Sequence, residues 1–143
     1  MARIKIEIPA TKLASFSIPV RITDINYGNH VGNDSFIGII HEARMLWLKA
    51  HGFTELELAG VGLIMSDLAV EFKNESYYGD TIEVTLFCGE IARVSFELFY
   101  QLSAKRNDAE IVLAHAKTGM VCYDYSAKKV ALVPEALTRI LQA

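Results

Sequence analysis

The segment from Asp34 to His51 constrains the fold most, because it predicts one long helix that is apolar over much of its surface. Its apolar residues recur at spacings of three and four, the stripe of a helix that packs on a core. The stripe consists of Phe36, Ile39, Ile40, Ala43, Leu46, Trp47 and Ala50, and it is widened by Ile37, Met45 and Leu48. We therefore expect this helix to be buried on most sides, which requires other elements to wrap around it.

The rest of the chain supplies such a partner as a series of predicted strands. Alternating apolar and polar residues, the pattern of a half-buried strand, occur at about 16–22, 63–73, 81–87, 94–101 and 110–124. Gly89 is expected to break the third strand and Gly119 to interrupt the last, and Pro134 opens a short helix over 135–141. Strands joined by short turns favour an antiparallel sheet. The sequence therefore predicts a single α+β domain over residues 1–143, with a curved antiparallel sheet around the long helix.

Composition excludes several classes of function. The chain has 143 residues and a net charge of −3, with no basic stripe, so we expect no nucleic-acid partner. No apolar run approaches the roughly 20 residues that span a bilayer. Residues 1–7 alternate like a strand and lack the apolar core of a signal peptide, and Cys88 and Cys122 stand alone in strand-like segments. We expect a cytoplasmic protein with two buried thiols, no membrane partner and no metal site.

The ten residues Asp24–Asn33 are the first place to look for chemistry. Most of them are Asp, Asn, Gly or His, which favour turns and carry groups that bond or titrate. The segment joins a predicted strand to the start of the long helix, where unpaired N–H groups stabilise negative charge. Asn33 or Asp34 is expected to cap the start of the helix, and Gly52 its end.

The order and spacing of several motifs resemble one family over about residues 16–141. Its members have a loop of the form Asp-x-Asp followed by His-Val and a helix with Glu-x-Arg; here these are Asp24-Ile25-Asn26, His30-Val31 and Glu42-Ala43-Arg44. A Gly-Asp turn, a strand with Ser95 near its start and a Pro-led final helix also match. The chain resembles hotdog-fold acyl-CoA thioesterases of the 4-hydroxybenzoyl-CoA thioesterase type. The resemblance implies a hotdog fold and hydrolysis of an acyl-CoA or acyl-carrier thioester.

One departure from the family bears on mechanism. In many relatives the second acid of Asp-x-Asp is the catalytic carboxylate, and the matching residue here is Asn26. An amide has no useful basicity and is a poor nucleophile. Two other acids remain as candidates for the base: Asp24, which can instead simply hold the loop, and Glu42, which can instead be an ordinary exposed or salt-bridged residue. A Glu42 in a buried helix would need a partner or a raised pKa.

Three further residues complete the candidate site. Asn26 can orient a water or bond the thioester carbonyl, or it can serve the turn alone. His30 lies just ahead of the helix, whose positive end favours a neutral imidazole that can position water, although a purely structural histidine is an equal alternative. Asn33 lies where the resemblance puts the backbone N–H that polarises the carbonyl, and helix-start amides are suited to that task.

The sequence thus favours a thioesterase without a metal or redox cofactor, and it leaves two rivals open. One is an acyl-CoA binding module, in which Asn26 marks the loss of the base. The other is a hydratase or dehydratase of enoyl or hydroxyacyl thioesters on the same fold. We also expect a homodimer or homotetramer, because pairing with a second subunit removes the exposed edges of a curved sheet.

Overall fold

The computed structural model describes residues 3–142. In chain order the elements are β1 (Thr11–Pro19), a 3-10 turn (Ile22–Asp24), α1 (Asn33–Ala50), β2 (Gly62–Phe72), β3 (Thr81–Ile91), β4 (Ser95–Arg106), β5 (Ala109–Asp124), β6 (Lys129–Val130) and α2 (Glu135–Leu141). No helix in this described part of the chain is long and apolar enough to cross a membrane. The predicted N-terminal strand begins at Met1 and Ala2, which lie outside the described residues, and residues 3–9 form no strand.

The strands form one antiparallel sheet in the order β1-β3-β4-β5-β2, with β6 paired to the end of β5. The prediction of an antiparallel sheet is therefore confirmed. In this strand order β1 and β2 lie at the two edges of the sheet. The β4–β5 turn shows why short connections suffice here. Asn107 and Asp108 both take positive φ angles, 51° and 64°, the backbone twist that joins two strands of an antiparallel pair most tightly.

One face of α1 packs against the inner face of this sheet. Phe36, Ile40, Ala43 and Trp47 are 3%, 1%, 0% and 1% exposed, as the helical stripe predicted. They join the inward-facing residues of β3, β4 and β5 in a single hydrophobic cluster. Two expectations are wrong. Ala50 is exposed, and the helix also leaves a strip uncovered that contains Ile37, Gly38, His41 and Glu42. The sheet covers only one side of the helix. The additional apolar residues that widen the stripe therefore do not mean that the helix is buried on most sides.

The strand bounds differ from the predicted ones where local irregularities occur. The first strand is Thr11–Pro19, and the chain then forms the 3-10 turn in place of a strand to residue 22. Gly89 and Gly119 do not end their strands. The β3–β4 register shifts between Cys88 and Ile91, and the β2–β5 register shifts opposite Gly119. A Cβ on Gly119 would lie 2.8 Å from Ser66 Oγ, so the glycine allows the bulged strand β2 to lie close to β5.

Candidate active site

The segment that precedes α1 folds as a small closed turn. Ile25 and Val31 form an antiparallel bridge, and the N–H of Asn26 donates to the His30 carbonyl at 2.9 Å. Asn29 takes a φ of 64°, a left-handed conformation that asparagine tolerates better than most residues. The Val31 N–H also donates to the carbonyl of Ser76 at 2.7 Å. These bonds fix the start of the helix against the β2–β3 connection.

Asp24 anchors this turn through hydrogen bonds of its side chain and its carbonyl. Its side chain is 4% exposed and accepts the Arg21 N–H at 2.8 Å and the Arg21 guanidinium at 3.2 Å. The hydrogen bond and charge of Asp24 raise the pKa of Arg21. The Asp24 carbonyl accepts the N–H of Gly32 at 3.0 Å. Asp24 thus fills the loop-holding role that the sequence left as one of its two alternatives.

The side chains of Asn26 and His30 lie close together in the same turn. The Asn26 Oδ1 atom accepts the N–H of Gly28 at 2.8 Å, a local turn bond of the kind asparagine favours. A Cβ on Gly28 would lie 3.3 Å from Asn26 Oδ1 and 3.1 Å from His30 Nε2, so both side chains flank this glycine. The structure therefore brings together two of the residues that the sequence proposed as partners in positioning water.

His30 is held in one tautomer by its own backbone. Its Nδ1 lies 3.2 Å from the Val31 carbonyl, which can only accept, so a neutral His30 carries its proton on Nδ1 and leaves Nε2 as an acceptor. That Nε2 atom lies 3.9 Å from Oε1 of Glu75, too far for a direct hydrogen bond. The gap suits a small polar molecule that bonds to both groups.

The start of α1 offers backbone donors at the same place. Gly32 is the N-cap residue and no side chain caps the helix, so the expected cap by Asn33 or Asp34 is wrong. The Asp34 carboxylate instead lies beside Gly32: a Cβ atom added to Gly32 would be 2.7 Å from Asp34 Oδ1. Within residues 3–142, no acceptor is found for the N–H groups of Asn33, Asp34 and Ser35. Such free amides can stabilise a developing oxyanion.

His30, Asn33 and Glu75 line one pocket of about 200 Å³ between α1 and the end of β2, whereas Asn26 does not line it. Its wall combines the ring of His30, residue Asn33 at the helix start and the carboxylate of Glu75. Phe36 and Phe72 form an apolar side with their ring centroids 5.4 Å apart. The pocket thus joins an acceptor nitrogen, backbone donors and a carboxylate beside an apolar surface.

A comparison with family models assigns the fold family. Residues 20–141 match the model described as the Thioesterase-like superfamily. The chain belongs to this superfamily. The match covers the loop, both helices and five of the strands, and it confirms the resemblance inferred from the sequence motifs.

Named relatives of this superfamily member agree with that assignment. The 1,4-dihydroxy-2-naphthoyl-CoA hydrolase of Nostoc punctiforme is 25% identical over 131 residues, covering 90% of this chain and 86% of the relative. A 1,4-dihydroxy-2-naphthoyl-CoA thioesterase from Synechocystis has a TM-score of 0.78 at 21% identity, covering 89% of this chain and 93% of that one. A 4-hydroxybenzoyl-CoA thioesterase variant bound to 4-hydroxybenzoyl-CoA has a TM-score of 0.81 at 15% identity, covering 92% and 99%. These similarities confirm the hotdog fold.

The fifth candidate of the thioesterase-like site, Glu42, lies elsewhere. It is exposed on α1 and lines a different pocket, together with Gly38 and Arg21. Of the two alternatives left open for Glu42, the structure shows the exposed residue and not the buried carboxylate, because Glu42 belongs to the strip of the helix that the sheet leaves uncovered. The structure does not bring Glu42 to His30.

Sequence reasoning missed Glu75 and its neighbour Asn74, which line the pocket with His30 and Lys73. These residues form a short polar run that follows β2 and precedes the turn at Gly79. Such a run reads as an ordinary exposed loop. The run becomes part of the pocket only in the folded chain, because β2 lies along α1 and ends beside the start of the helix. There the Ser76 carbonyl accepts the Val31 N–H.

Proposed function

We propose that this protein is an acyl-CoA thioesterase whose reaction takes place in the pocket between the start of α1 and Glu75. Thioester hydrolysis is the activity that its superfamily membership and its named relatives support. The observation that carries the site is the convergence of His30 Nε2, the helix-start residue Asn33 and the Glu75 carboxylate on one pocket. This arrangement supplies a water-positioning acceptor, an oxyanion donor and a base.

The chemistry follows from these roles. A water between Glu75 and His30 attacks the thioester carbonyl carbon and passes a proton to Glu75. The N–H of Asn33 stabilises the negative charge that develops on the carbonyl oxygen. The carbon–sulfur bond then breaks, and the leaving thiolate recovers the proton as free thiol. Asn26 and Asp24 shape the loop in this proposal, because the oxygen of Asn26 is bound to Gly28 and the carboxylate of Asp24 is bound to Arg21.

The test measures thiol release from a panel of acyl-CoA thioesters. Glu75→Gln is expected to lower kcat about 100-fold or more, the scale for the loss of a general base, and His30→Gln is expected to act in the same direction. Glu110→Gln is the matched control, since Glu110 is also an exposed acid but lines a separate surface pocket. Full activity in Glu75→Gln would return the role of base to Asp24, Glu42 or an acid of a second subunit. Substituting Asp24→Asn and Glu42→Gln separately then distinguishes these.

Asn26 keeps one alternative function open. An asparagine in place of the family's acid suits a module that binds acyl-CoA without hydrolysing it. In that case the native protein binds acyl-CoA thioesters and releases no thiol, while Asn26→Asp gains hydrolysis. The same panel includes an enoyl-CoA, whose loss of absorbance without thiol release would indicate a hydratase.

We also propose that the protein is a cytoplasmic homodimer or homotetramer. Strand β2 lies at the edge of the sheet, and its side chains Met65 and Phe72 are 42% and 37% exposed. Tyr27 at the tip of the catalytic loop is fully exposed, with a relative exposure of 104%. Pairing with a second copy would cover such an edge. Two free, buried cysteines suit a reducing compartment. Sedimentation as a monomer at micromolar concentration would contradict the assembly.

A further inference from the structure

The two carboxylate oxygens of Glu75, the proposed base, have different partners. Oε1 lies 3.9 Å from His30 Nε2, across the gap in which the proposed reaction places its water, whereas Oε2 accepts the hydroxyl of Tyr77 at 2.9 Å. The Glu75 side chain is 60% exposed. An exposed glutamate ordinarily samples several rotamers, so a fixed bond to Oε2 restricts where Oε1 can lie. The Tyr77 hydroxyl therefore affects the geometry of the pocket, although Tyr77 does not line it.

The ring of Tyr77 is itself fixed by Arg106, the last residue of β4. The central carbon of the Arg106 guanidinium lies 4.9 Å from the centroid of the Tyr77 ring, which is a cation–π contact. Nη2 of the same guanidinium donates to the backbone carbonyl of Glu75 at 2.7 Å. Arg106 therefore holds the backbone of Glu75 directly, and it holds the Glu75 side chain through Tyr77.

Asp80 closes the turn that carries Glu75 and Tyr77. Its Oδ2 atom accepts Arg106 Nη2 at 2.6 Å, the Ser76 hydroxyl at 2.8 Å and the Tyr77 N–H at 3.0 Å. Burial would raise the pKa of Asp80, but the hydrogen bonds from Arg106 and from the turn outweigh it, so the pKa is lowered. The turn is also joined to the start of α1, because the Ser76 carbonyl accepts a backbone N–H there. An ionised Asp80 thus keeps the turn in one conformation.

We propose that Tyr77 is a positioning residue, whose hydroxyl holds Glu75 in the rotamer that directs Oε1 toward His30. The inference rests on the proposed function and adds to it a residue that lies outside the pocket. During the reaction Oε1 takes the proton of the attacking water, while Oε2 keeps its bond to Tyr77, which neither gains nor loses a proton. A hydrogen bond to an ionised carboxylate is stronger than one between neutral groups, so it suits this task.

The alternative role for Tyr77 is to stabilise the turn and nothing else. Its ring serves the turn through the contact with Arg106. Its hydroxyl does not, because the one hydrogen bond found for it in the described part of the chain goes to the Glu75 carboxylate. The substitution Tyr77→Phe therefore separates the two roles, since it removes the hydroxyl and keeps the ring beside Arg106.

Steady-state thiol release from the best acyl-CoA of the panel tests the effect on the reaction. Tyr77→Phe should lower kcat about 10-fold, the lower end for one hydrogen bond to a charged group, because both side chains are partly exposed. KM should change less than about 2-fold, because Tyr77 does not line the pocket. In a Glu75→Gln background the same substitution should cause no further loss. Tyr78→Phe is the matched control, since the adjacent Tyr78 is 65% exposed and its hydroxyl bonds to no residue among 3–142.

A titration of the Tyr77 phenol tests the bond itself and needs no turnover. The hydrogen bond to Glu75 and the negative charge of that carboxylate raise the pKa of Tyr77. In protein labelled with carbon-13 at the tyrosine ζ carbon, the Tyr77 signal is assigned by its absence from Tyr77→Phe. This signal should titrate at a lower pH in Glu75→Gln than in the native protein. The urea midpoint of Tyr77→Phe should equal that of the native protein, which shows that the turn and the fold are retained.

The outcomes separate this inference from the proposed function. If Glu75→Gln loses activity while Tyr77→Phe keeps the native kcat, the inference is wrong and the proposed function stands. Further loss on adding Tyr77→Phe to Glu75→Gln would show that the hydroxyl acts elsewhere, which also overturns the inference. A Tyr77 titration that is identical with and without the Glu75 carboxylate would overturn it whatever the rates are. Full activity in Glu75→Gln, or no thiol release from any acyl-CoA, is the distinct result that overturns the proposed function and the inference together.

Discussion

Replacing Arg44 with methionine tests a polar cluster inside the fold, in which the Arg44 guanidinium bonds to Glu55 and to the Tyr100 hydroxyl. The change keeps most of the side-chain volume but removes the bonds to Glu55 and to the Tyr100 hydroxyl. Removing one partner of a buried ion pair typically costs about 3–5 kcal/mol. Glu55 retains 21% side-chain exposure and its contact with His41, and Tyr100 keeps its 2.7 Å bond to Thr118. We therefore expect Arg44→Met to lower the free energy of unfolding by about 3 kcal/mol, the lower end of that range.

Urea unfolding of a double-mutant cycle measures this interaction. Glu55→Gln alone is expected to cost about 2–3 kcal/mol because it leaves the Arg44 charge buried. The double variant Arg44→Met/Glu55→Gln should cost only about 1–2 kcal/mol, since no unpaired charge remains. If the double variant instead loses the full sum of the two single losses, the two side chains are not coupled and the account of the cluster is refuted.

The pH dependence of the same measurement checks which group carries the negative charge. Burial would raise the pKa of Glu55, but the hydrogen bonds and charges of Arg44 and then His41 outweigh it, so the pKa is lowered. Because the folded-state pKa lies below the unfolded one, this stabilisation is complete above the unfolded pKa of about 4.3 and is lost as the pH falls through the folded pKa. The loss caused by Arg44→Met should shrink as the pH falls below the unfolded pKa of Glu55, about 4.3, toward its folded pKa. A loss that stays constant to pH 3 would contradict the pairing.

Three further predictions concern other parts of the molecule. Ile40→Ala should lower the free energy of unfolding in urea by about 2–5 kcal/mol, because Ile40 is 1% exposed between α1 and the sheet; a loss below 1 kcal/mol would argue against that packing. Asp24→Asn should release the loop before α1 from Arg21, seen as faster amide exchange at Gly32 relative to the β4–β5 hairpin, and unchanged exchange would contradict the anchoring role. Burial raises the pKa of Cys122 to about 11 and also raises that of Cys88. Both thiols should thus react with a thiol reagent at pH 8 only after denaturation, whereas rapid labelling of the native protein would show that they are accessible.

The sequence by itself determined the architecture and the location of the polar loop that precedes α1. Spacings of three and four predicted the helix that the structure places at Asn33–Ala50, and alternation predicted most of the strands, because both patterns follow directly from local backbone geometry. The Pro-led helix at Glu135–Leu141 has the predicted bounds. Turn-forming residues located the segment Asp24–Asn33, where two candidate residues, Asn26 and His30, do lie side by side.

Local patterns could not reveal how far the sheet reaches around the helix. Apolar residues on several sides of α1 suggested burial on most sides, but the sheet packs on one side and leaves Ile37 and Glu42 uncovered. The bulge at Gly89 was likewise mistaken for a strand end, whereas Gly119 interrupts the strand register without ending the strand, as expected. A glycine breaks a local pattern in the same way whether a strand ends or bends, and only pairing with the neighbouring strand distinguishes the two.

The composition of the site was decided by tertiary structure alone. Glu75 lies 45 positions after His30 in the chain, yet their side chains approach to 3.9 Å. They meet because β2 runs antiparallel to α1 and ends beside the start of the helix. Arg44 and Glu55 are brought together by the loop that joins the same two elements. No periodicity encodes these distances, since they depend on the placement of whole elements, and sequence spacing constrains only neighbours within one element.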